Sequence, residues 1–358
     1  MKYVKSFRST TTVYLAMFLL LIACNPPSKF KSENVVVGSG QMPAAVTDSS
    51  GNLHLVFGHG DSILYANAQP DGDRISTPIL VSIVPELAAS HMRGPQIAAT
   101  RKGIAIIACD NNGNIFSFHK TDKGQWQQGA RVNDADTVAK EGLLAISGDG
   151  DNLFAVWLDL RDKHNKIFGS QSSDNGLTWS KNLLIYASPD STVCECCKPS
   201  VIVKKNKVIV MFRNWLSGNR DMYITESDDG GKTFAAPAKL GTESWAVDGC
   251  PMDGGSMAVI NDKLHTVWYR KGKIFSYMPG KTERELAEGK GCAMTVVHNR
   301  PAYAWTEKGS IIVDGEDGKI NIAKGKAPVL TGFGPGHLTC IWENDKTIMA
   351  KIFPYRID

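Results

Sequence analysis

The chain has 358 residues, of which 42% are hydrophobic and 34 are glycine. It is therefore long enough to bury a large core, and its glycine content is typical of a protein with many turns. Its 40 basic and 36 acidic residues give a formal net charge of +4, which provides no electrostatic basis for binding nucleic acid.

Residues 1–23 have the pattern of a signal peptide. Lys2, Lys5 and Arg8 precede an apolar run over 13–23, and that run is too short to span a bilayer. Removing the segment takes away three cations and no acids, so the formal charge falls from +4 to +1. We predict that this segment is absent from the mature protein.

The end of this segment, Leu21-Ile-Ala-Cys24, resembles the bacterial lipobox. The resemblance implies cleavage before Cys24 and a lipid on its sulfur, with residues 24–32 as the lipidated cysteine and its tether. The next residue is Asn25 rather than Asp, so we find no inner-membrane retention signal. We expect an exported protein anchored to the bacterial cell envelope, at the outer membrane or cell surface, whose only membrane contact is the lipid. A simple secretory signal near a cysteine is the alternative.

A pair of alternating apolar strands recurs through residues 33–358. The first strand of each pair ends near a large apolar residue, and successive ends are 50, 50, 55, 56, 37 and 37 residues apart: Phe57, Ile107, Trp157, Phe212, Trp268, Trp305 and Trp342. Each spacing suits one four-stranded blade. The pattern predicts an all-β fold, a β-propeller of four-stranded blades forming a single domain over 33–358.

Seven strand pairs favour seven blades. A strand at 33–38 is left over before the first pair, and the chain ends soon after a strand at 347–353. Pairing these two strands would close the ring and remove an exposed sheet edge. Six blades, with one short unit as an insertion, is the alternative.

Two segments share the pattern Ser-x-Asp-x-Gly-x-Thr-aromatic. The positions that match are Ser172, Asp174, Gly176, Thr178 and Trp179 in one copy, and Ser227, Asp229, Gly231, Thr233 and Phe234 in the other. The carboxylate can accept hydrogen bonds from the turn, and glycine supplies a positive φ. The segments resemble the Asp-box (BNR) turns of sialidase-like β-propellers. Both follow a third strand, so we expect them on the face opposite the chemistry, with a structural role.

The resemblance implies an exo-sialidase-type glycoside hydrolase that acts on acidic glycans and requires no cofactor. Such enzymes bind the substrate carboxylate with arginines, which here would be Arg93, Arg161, Arg213 and Arg270. Arg93-Gly-Pro95 resembles the sialidase Arg-Ile-Pro segment, and the loop at 159–162 would supply the acid/base, Asp159 or Asp162. Tyr269 is the candidate nucleophile. The alternative is that these charges form salt bridges between blades.

Five cysteines precede inner strands and are expected to converge at the channel mouth: Cys194, Cys196, Cys197, Cys250 and Cys292. Cysteines outside the cytoplasm most often form disulfides. Apart from Cys24 there are seven cysteines, an odd number, which leaves room for a copper or zinc site instead. The alternative function is therefore a non-enzymatic propeller that binds a glycan or glycoconjugate, a protein or a metal ion through this face.

Overall fold

The computed structural model describes Met1 and residues 33–72, 74–121, 123–315, 318–334 and 336–355. The predicted signal peptide, Cys24 and the tether up to residue 32 lie outside the described residues, apart from Met1. The described residues form strands and connecting turns, with no helix that is long and apolar enough to cross a membrane.

The strands form seven four-stranded sheets, each made of antiparallel neighbours. In chain order, the closing strand β1 (Val35–Ser39) is followed by blade 1, with β2 (Gln41–Thr47), β3 (Leu53–His59), β4 (Ser62–Ala68) and β5 (Ile79–Ile83). Blade 2 has β6 (Gln96–Thr100), β7 (Gly103–Cys109), β8 (Ile115–Lys120) and β9 (Trp126–Gln128). Blade 3 has β10 (Leu144–Asp149), β11 (Asn152–Asp159), β12 (Lys166–Ser172) and β13 (Leu183–Tyr186).

The remaining blades repeat this order. Blade 4 has β14 (Ser200–Lys204), β15 (Lys207–Leu216), β16 (Asn219–Ser227) and β17 (Ala238–Lys239). Blade 5 has β18 (Gly255–Ile260), β19 (Lys263–Arg270), β20 (Lys273–Tyr277) and β21 (Arg284–Glu288). Blade 6 has β22 (Lys290–Val297), β23 (Arg300–Glu307), β24 (Ser310–Gly315) and β25 (Gly318–Lys324). Blade 7 has β26 (Lys326–Phe333), β27 (His337–Asn344) and β28 (Thr347–Pro354).

The prediction of seven blades with an N-terminal closing strand is confirmed. Strand β1 pairs antiparallel with β28 and becomes the outermost strand of blade 7, with Val36 opposite Met349. The first strands of the blades contact one another around the ring, including β2 with β26. The alternative of six blades is excluded, because the two short units form complete blades of their own.

The core lies between neighbouring blades, and this explains the apolar pattern of the second strands. A second strand is covered on both faces, so it reads as a continuous apolar run. The first strand of each predicted pair is the second strand of a blade. All seven repeat residues, from Phe57 to Trp342, are buried in these second strands. Each strand continues at least two residues beyond its repeat residue. Those extra residues, such as Asp159 and Arg270, bring charged groups to the blade ends.

The topology places two sets of loops on one face of the ring. These are the loops from a fourth strand to the next first strand, and those from a second to a third strand. We call this the channel-mouth face, because a cavity opens there between the starts of the first strands. The turns after third strands lie on the opposite face, and both Asp boxes are there.

Candidate functional site at the channel mouth

Each Asp box is closed by hydrogen bonds that its own sequence supplies. In the second copy, Ser227 Oγ donates to Asp229 Oδ1 over 2.7 Å and accepts from Gly231 N over 2.9 Å. Thr233 donates to the same carboxylate from both its amide and its hydroxyl, over 3.0 and 2.6 Å. The first copy repeats these contacts around Asp174.

These hydrogen bonds hold both carboxylates ionised. Hydrogen bonds from Thr233 and Ser227 place the pKa of Asp229 far below its usual range. Burial opposes ionisation of Asp174, but the hydrogen bonds from Thr178 and Ser172 outweigh it and lower the pKa of Asp174. Because the carboxylate oxygens are occupied within the turn, the geometry is that of a structural element.

The aromatic residue of each Asp box packs against the preceding blade. Phe234 of blade 4 lies 5.8 Å from Phe154 of blade 3, between ring centroids. Trp179 of blade 3 packs with Leu153 of its own blade and Ala105 of blade 2. The turns therefore link blades on the face away from the channel mouth.

Asp159, the first acid/base candidate, is fully buried and accepts four hydrogen bonds. Its Oδ1 accepts from the amide and Nε of Arg161, both over 2.9 Å. Its Oδ2 accepts from Trp157 Nε1 over 2.8 Å and from Arg161 Nη2 over 2.9 Å. Every lone pair in reach is occupied, and the guanidinium of Arg161 also lies 4.1 Å from the centre of the Phe168 ring.

The second acid/base candidate, Asp162, is exposed at the loop tip and pairs with Lys166 over 2.6 Å. The hydrogen bond and charge of Lys166 lower the pKa of Asp162. A general acid needs its proton near neutral pH, which this arrangement does not favour.

Two further predicted substrate ligands form ion pairs instead. Arg93 donates from Nε to the carbonyl of Glu141 over 2.6 Å and pairs with its carboxylate over 3.4 Å, which links the loops preceding blades 2 and 3. Arg270 is buried and forms a bidentate pair with Glu283 in its own blade. Glu243 approaches the same guanidinium to 3.3 Å.

Arg213 is buried, and its guanidinium donates hydrogen bonds to backbone carbonyls rather than facing an open site. Its two terminal nitrogens donate to the carbonyls of Arg220 and Tyr269, over 2.8 and 2.7 Å. Tyr269 is half-buried, and its ring packs edge-on against Trp245 at 5.6 Å. The described residues thus do not assemble the four arginines around one acid and one tyrosine.

The cysteine cluster does assemble. The Sγ atom of Cys194 lies 3.3 Å from that of Cys197 and 3.7 Å from that of Cys196, and the last two are 4.0 Å apart. Cys196 forms a disulfide with Cys250, which reaches it from the loop before blade 5. Cys292 lies on the wall of the neighbouring cavity.

A hydrogen bond with Cys197 and two buried arginines, Arg220 and Arg213, lower the pKa of the Cys194 thiol. Arg220 Nη1 lies 3.1 Å from Cys194 Sγ. The hydrogen bond with Cys197, together with the charges of Arg220 and Arg213, outweighs burial and lowers the pKa of Cys194 to about 7. Burial and the same contact raise the pKa of Cys197. Of the two thiols, Cys194 is therefore the one that ionises first.

A cavity of about 260 Å³ opens beside the cluster, between the first strands of six blades. Lys198 reaches its wall, and its Nζ donates to Gln96 Oε1 over 2.6 Å. Asp253 is buried in the wall and accepts from the amide of Gly291 over 2.7 Å. Burial lowers the pKa of Lys198 to about 8 and raises the pKa of Asp253 to about 6.

Lys198 and Asp253 are the two charged residues among the described residues that line the cavity, and neither was predicted from the sequence as a site residue. Each lies one to three positions after a cysteine that was predicted as one, in a loop leading into a first strand. That loop position is the signal that could have identified them, because every such loop ends at the channel mouth.

The family comparison matches this architecture. The model of the BNR repeat-like domain matches residues 107–285, which are 179 of the 358 residues. No curated protein matches the chain.

Solved structures share the fold at low identity. The GH93 α-L-arabinofuranosidase of Fusarium graminearum, solved with arabinobiose, superposes with a TM-score of 0.55 at 13% identity, over 90% of this chain and 97% of that chain. The Aleuria aurantia lectin, solved as a mutant with Fucα1-6GlcNAc, superposes with a TM-score of 0.53 at 12% identity, over 84% of this chain and 98% of that chain. The chain therefore belongs to the BNR repeat-like family, with the fold of the sialidase-like β-propellers.

Proposed function

We propose that the protein is an exported, lipid-anchored propeller that binds the terminal sugar of an acidic glycan in the channel-mouth cavity, without hydrolysing it. The fold is shared with a glycosidase and with a lectin whose structures contain sugars. Since fold alone does not fix function, the proposal depends on the chemistry of this chain's own cavity.

The observation that carries the proposal is the placement of Lys198. It is the one cationic side chain among the described residues that line the cavity, and Gln96 holds its ammonium group in position. Met42, Met294 and other apolar groups line the rest of the wall, beside Ser200. An apolar wall with a few fixed polar groups is typical of a small-ligand site, and a buried ammonium favours a carboxylate-bearing sugar.

Binding is favoured over hydrolysis because the cavity lacks a carboxylate pair. Glycoside hydrolases generally need two carboxyl groups across the scissile bond, or a tyrosine in place of one. Asp253 is the single acidic residue among the described residues that line the cavity, and no tyrosine lines it there. Asp159 does not line the cavity, and its carboxylate already accepts four hydrogen bonds.

The test is binding of acidic and neutral oligosaccharides, such as sialyllactose and lactose, by calorimetry. We expect the acidic sugar to bind and Lys198→Met to weaken it about tenfold or more, the cost of losing one charged contact. Lys204→Met is the matched control, because Lys204 ends β14, the strand that follows Lys198, on the opposite face and pairs with Asp262. Equal affinity of Lys198→Met and the parent, or no preference for the acidic sugar, would refute the proposal.

Hydrolysis is tested separately with 4-methylumbelliferyl sialoside. We expect no release of 4-methylumbelliferone from folded protein. Release that Tyr269→Phe abolishes would restore the exo-sialidase interpretation.

The envelope location is tested by fractionating cells. The parent chain should sediment with membranes and incorporate labelled palmitate, whereas Cys24→Ser should do neither. Palmitate in the Cys24→Ser protein would contradict the lipoprotein assignment.

A further inference from the structure

We propose that Cys194, Cys196, Cys197 and Cys250 form a site for a thiophilic d10 ion, Cu(I) or Zn(II), when the Cys196–Cys250 disulfide is reduced. The inference goes beyond the glycan site, because its ligands lie beside the cavity and its test involves no sugar.

Three of the four ligand sulfurs already have the spacing of a metal centre. A Zn–S bond of about 2.3 Å in a tetrahedral site places neighbouring sulfurs about 3.8 Å apart. The three sulfurs of Cys194, Cys196 and Cys197 are separated by 3.3, 3.7 and 4.0 Å. An ion could therefore enter between them with shifts of a few tenths of an ångström in the side chains.

Cys250 supplies the fourth sulfur from a second loop. Its disulfide to Cys196 brings the loops before β14 and β18 together, with the two Cα atoms 6.1 Å apart. A tetrahedral site in which two loops meet is the usual arrangement of a structural thiolate centre. Cys250 is also on the exposed side of the cluster, so the ion has a path from solvent.

The loop that carries Cys194, Cys196 and Cys197 is held in place by hydrogen bonds to β15 before any ion binds. The amide of Cys194 donates to the carbonyl of Arg213 over 3.1 Å, and Val193 bridges to Asn214 on β15. Cys194 and Cys197 are both buried, which limits their freedom further. Little ordering remains to be done on binding, and this favours affinity.

Two buried arginines offset the negative charge of the thiolates. Arg220 donates to Cys194 Sγ over 3.1 Å and is held by Glu195 at 3.4 Å and by the Trp215 ring at 4.3 Å. Arg213 is also buried; its backbone carbonyl accepts a hydrogen bond from the amide of Cys194, and its positive charge acts on the Cys194 sulfur. Cations in this outer position stabilise thiolate ligands and orient them.

The disulfide and the metal site exclude each other, because Cys196 and Cys250 cannot bond to each other and to the ion. Opening the disulfide requires two electrons and two protons from an external dithiol, which becomes a disulfide itself. Binding of the ion then releases the thiol protons to solvent.

The experiment uses the full chain, reduced with dithiothreitol and desalted without oxygen. One portion is given Zn(II) and another Cu(I), each alone, and bound metal is counted after a second desalting. We expect one equivalent of at least one ion on the reduced protein and none on the oxidised protein. Retention of neither ion by the reduced protein would overturn the proposal, and the ion that survives a chelator identifies the site's preference.

Variants assign the ligands. Cys194→Ser should weaken binding about 100-fold or more, since even outer-shell changes cost up to that much. Cys292→Ser is the matched control, because Cys292 lies on the same face but outside the sulfur cluster, and it should retain the equivalent. Loss of metal from Cys292→Ser, or full retention in Cys194→Ser, would refute the assignment.

X-ray absorption on the loaded parent chain provides a readout that does not depend on a variant folding. We expect a first shell of sulfur alone at about 2.3 Å. A shell of nitrogen or oxygen would overturn the site.

Discussion

At the scale of single residues, the charges on the channel-mouth face are mostly used to hold the protein together. Asp159 shows this most clearly, since each of its oxygens accepts two hydrogen bonds, from Trp157 and Arg161. A carboxylate so placed fixes the loop between β11 and β12, whereas a catalytic acid must exchange its proton with a substrate. Substitution of Asp159 should therefore lower the stability of the fold before it changes any activity.

We expect Asp159→Asn to lower the free energy of unfolding by about 1–3 kcal/mol, because the amide nitrogen would face donors and leave them unpaired. Urea denaturation measures the loss. Asp162→Asn is the control and should leave stability unchanged, since that carboxylate is exposed. An Asp159→Asn protein with parental stability would argue for a catalytic role instead.

The Asp-box carboxylates predict a pH dependence. The pKa of Asp229 in the folded protein is below its ordinary value of 3.8, so the unfolded chain binds the proton more readily. The stabilisation is therefore present above pH 3.8 and lost as the pH falls through and below that value. Melting temperatures of the parent should drop in this range, and those of Asp229→Asn should drop less.

Asp228→Asn separates this effect from the general repulsion of a protonated protein. Asp228 is the neighbouring exposed carboxylate and pairs with Lys207 at the surface. Its variant should keep the parental slope of melting temperature against pH. A parental slope in Asp229→Asn as well would show that the turn contributes nothing to acid stability.

At the scale of elements, the Asp box acts as a packing device as well as a turn. Gly231 has φ of +91°, and a Cβ there would lie 2.2 Å from the Phe154 ring of the preceding blade. Gly230, next to it, has φ of +80° with open space around it. Both positions therefore require a positive φ, but only Gly231 lies at the contact between blades 4 and 3.

We expect Gly230→Ala to cost about 1–2 kcal/mol from the positive φ alone. Gly231→Ala should cost about 1–3 kcal/mol more, because the Phe154 ring must move within a packed core. Chemical denaturation of the two variants gives the difference. Equal losses would mean that the turn does not fasten blade 4 to blade 3.

At the scale of the whole molecule, one strand closes the ring. Strand β1 pairs with β28, and Val37 packs in the core that joins blade 7 to blade 1, with Phe57 and Ile341. Val36 on the same strand is 65% exposed, whereas Val37 is 9% exposed. Closure thus depends on a single buried side of a short strand.

Val37→Asp should lower the free energy of unfolding by about 3–5 kcal/mol, the range for an uncompensated buried charge. It should also promote association, because a loosened β1 exposes the edge of β28. Val36→Asp is the matched control and should behave as the parent in denaturation and in size-exclusion chromatography. A monomeric Val37→Asp protein of parental stability would show that closure by β1 is dispensable.

The fold was predictable because its signals are local and repeated. Buried second strands produce an apolar run at every blade, and the residues from Phe57 to Trp342 mark that run wherever it occurs. The Asp boxes were predictable for the same reason, since Ser227, Asp229 and Thr233 satisfy one another within seven residues. The convergence of Cys194, Cys196, Cys197 and Cys250 also followed from counting loops on one face.

The partners of the arginines were not predictable in the same way. Arg93 meets Glu141 across two blades, and Arg270 meets Glu283 from the opposite end of its sheet. The first contact depends on how two blades pack together, and the second depends on where the loop between β20 and β21 places Glu283. A guanidinium also offers the same donors to a protein carboxylate as to a sugar carboxylate.

The sequence by itself therefore determined the seven-bladed ring, its closure and the loops that share the channel mouth, because strand periodicity and turn chemistry act over a few residues. Only the tertiary structure decided which side chains remain available there. It paired Arg93 with Glu141 and brought Lys198 to the cavity, because those outcomes depend on distances between blades that a linear pattern does not contain.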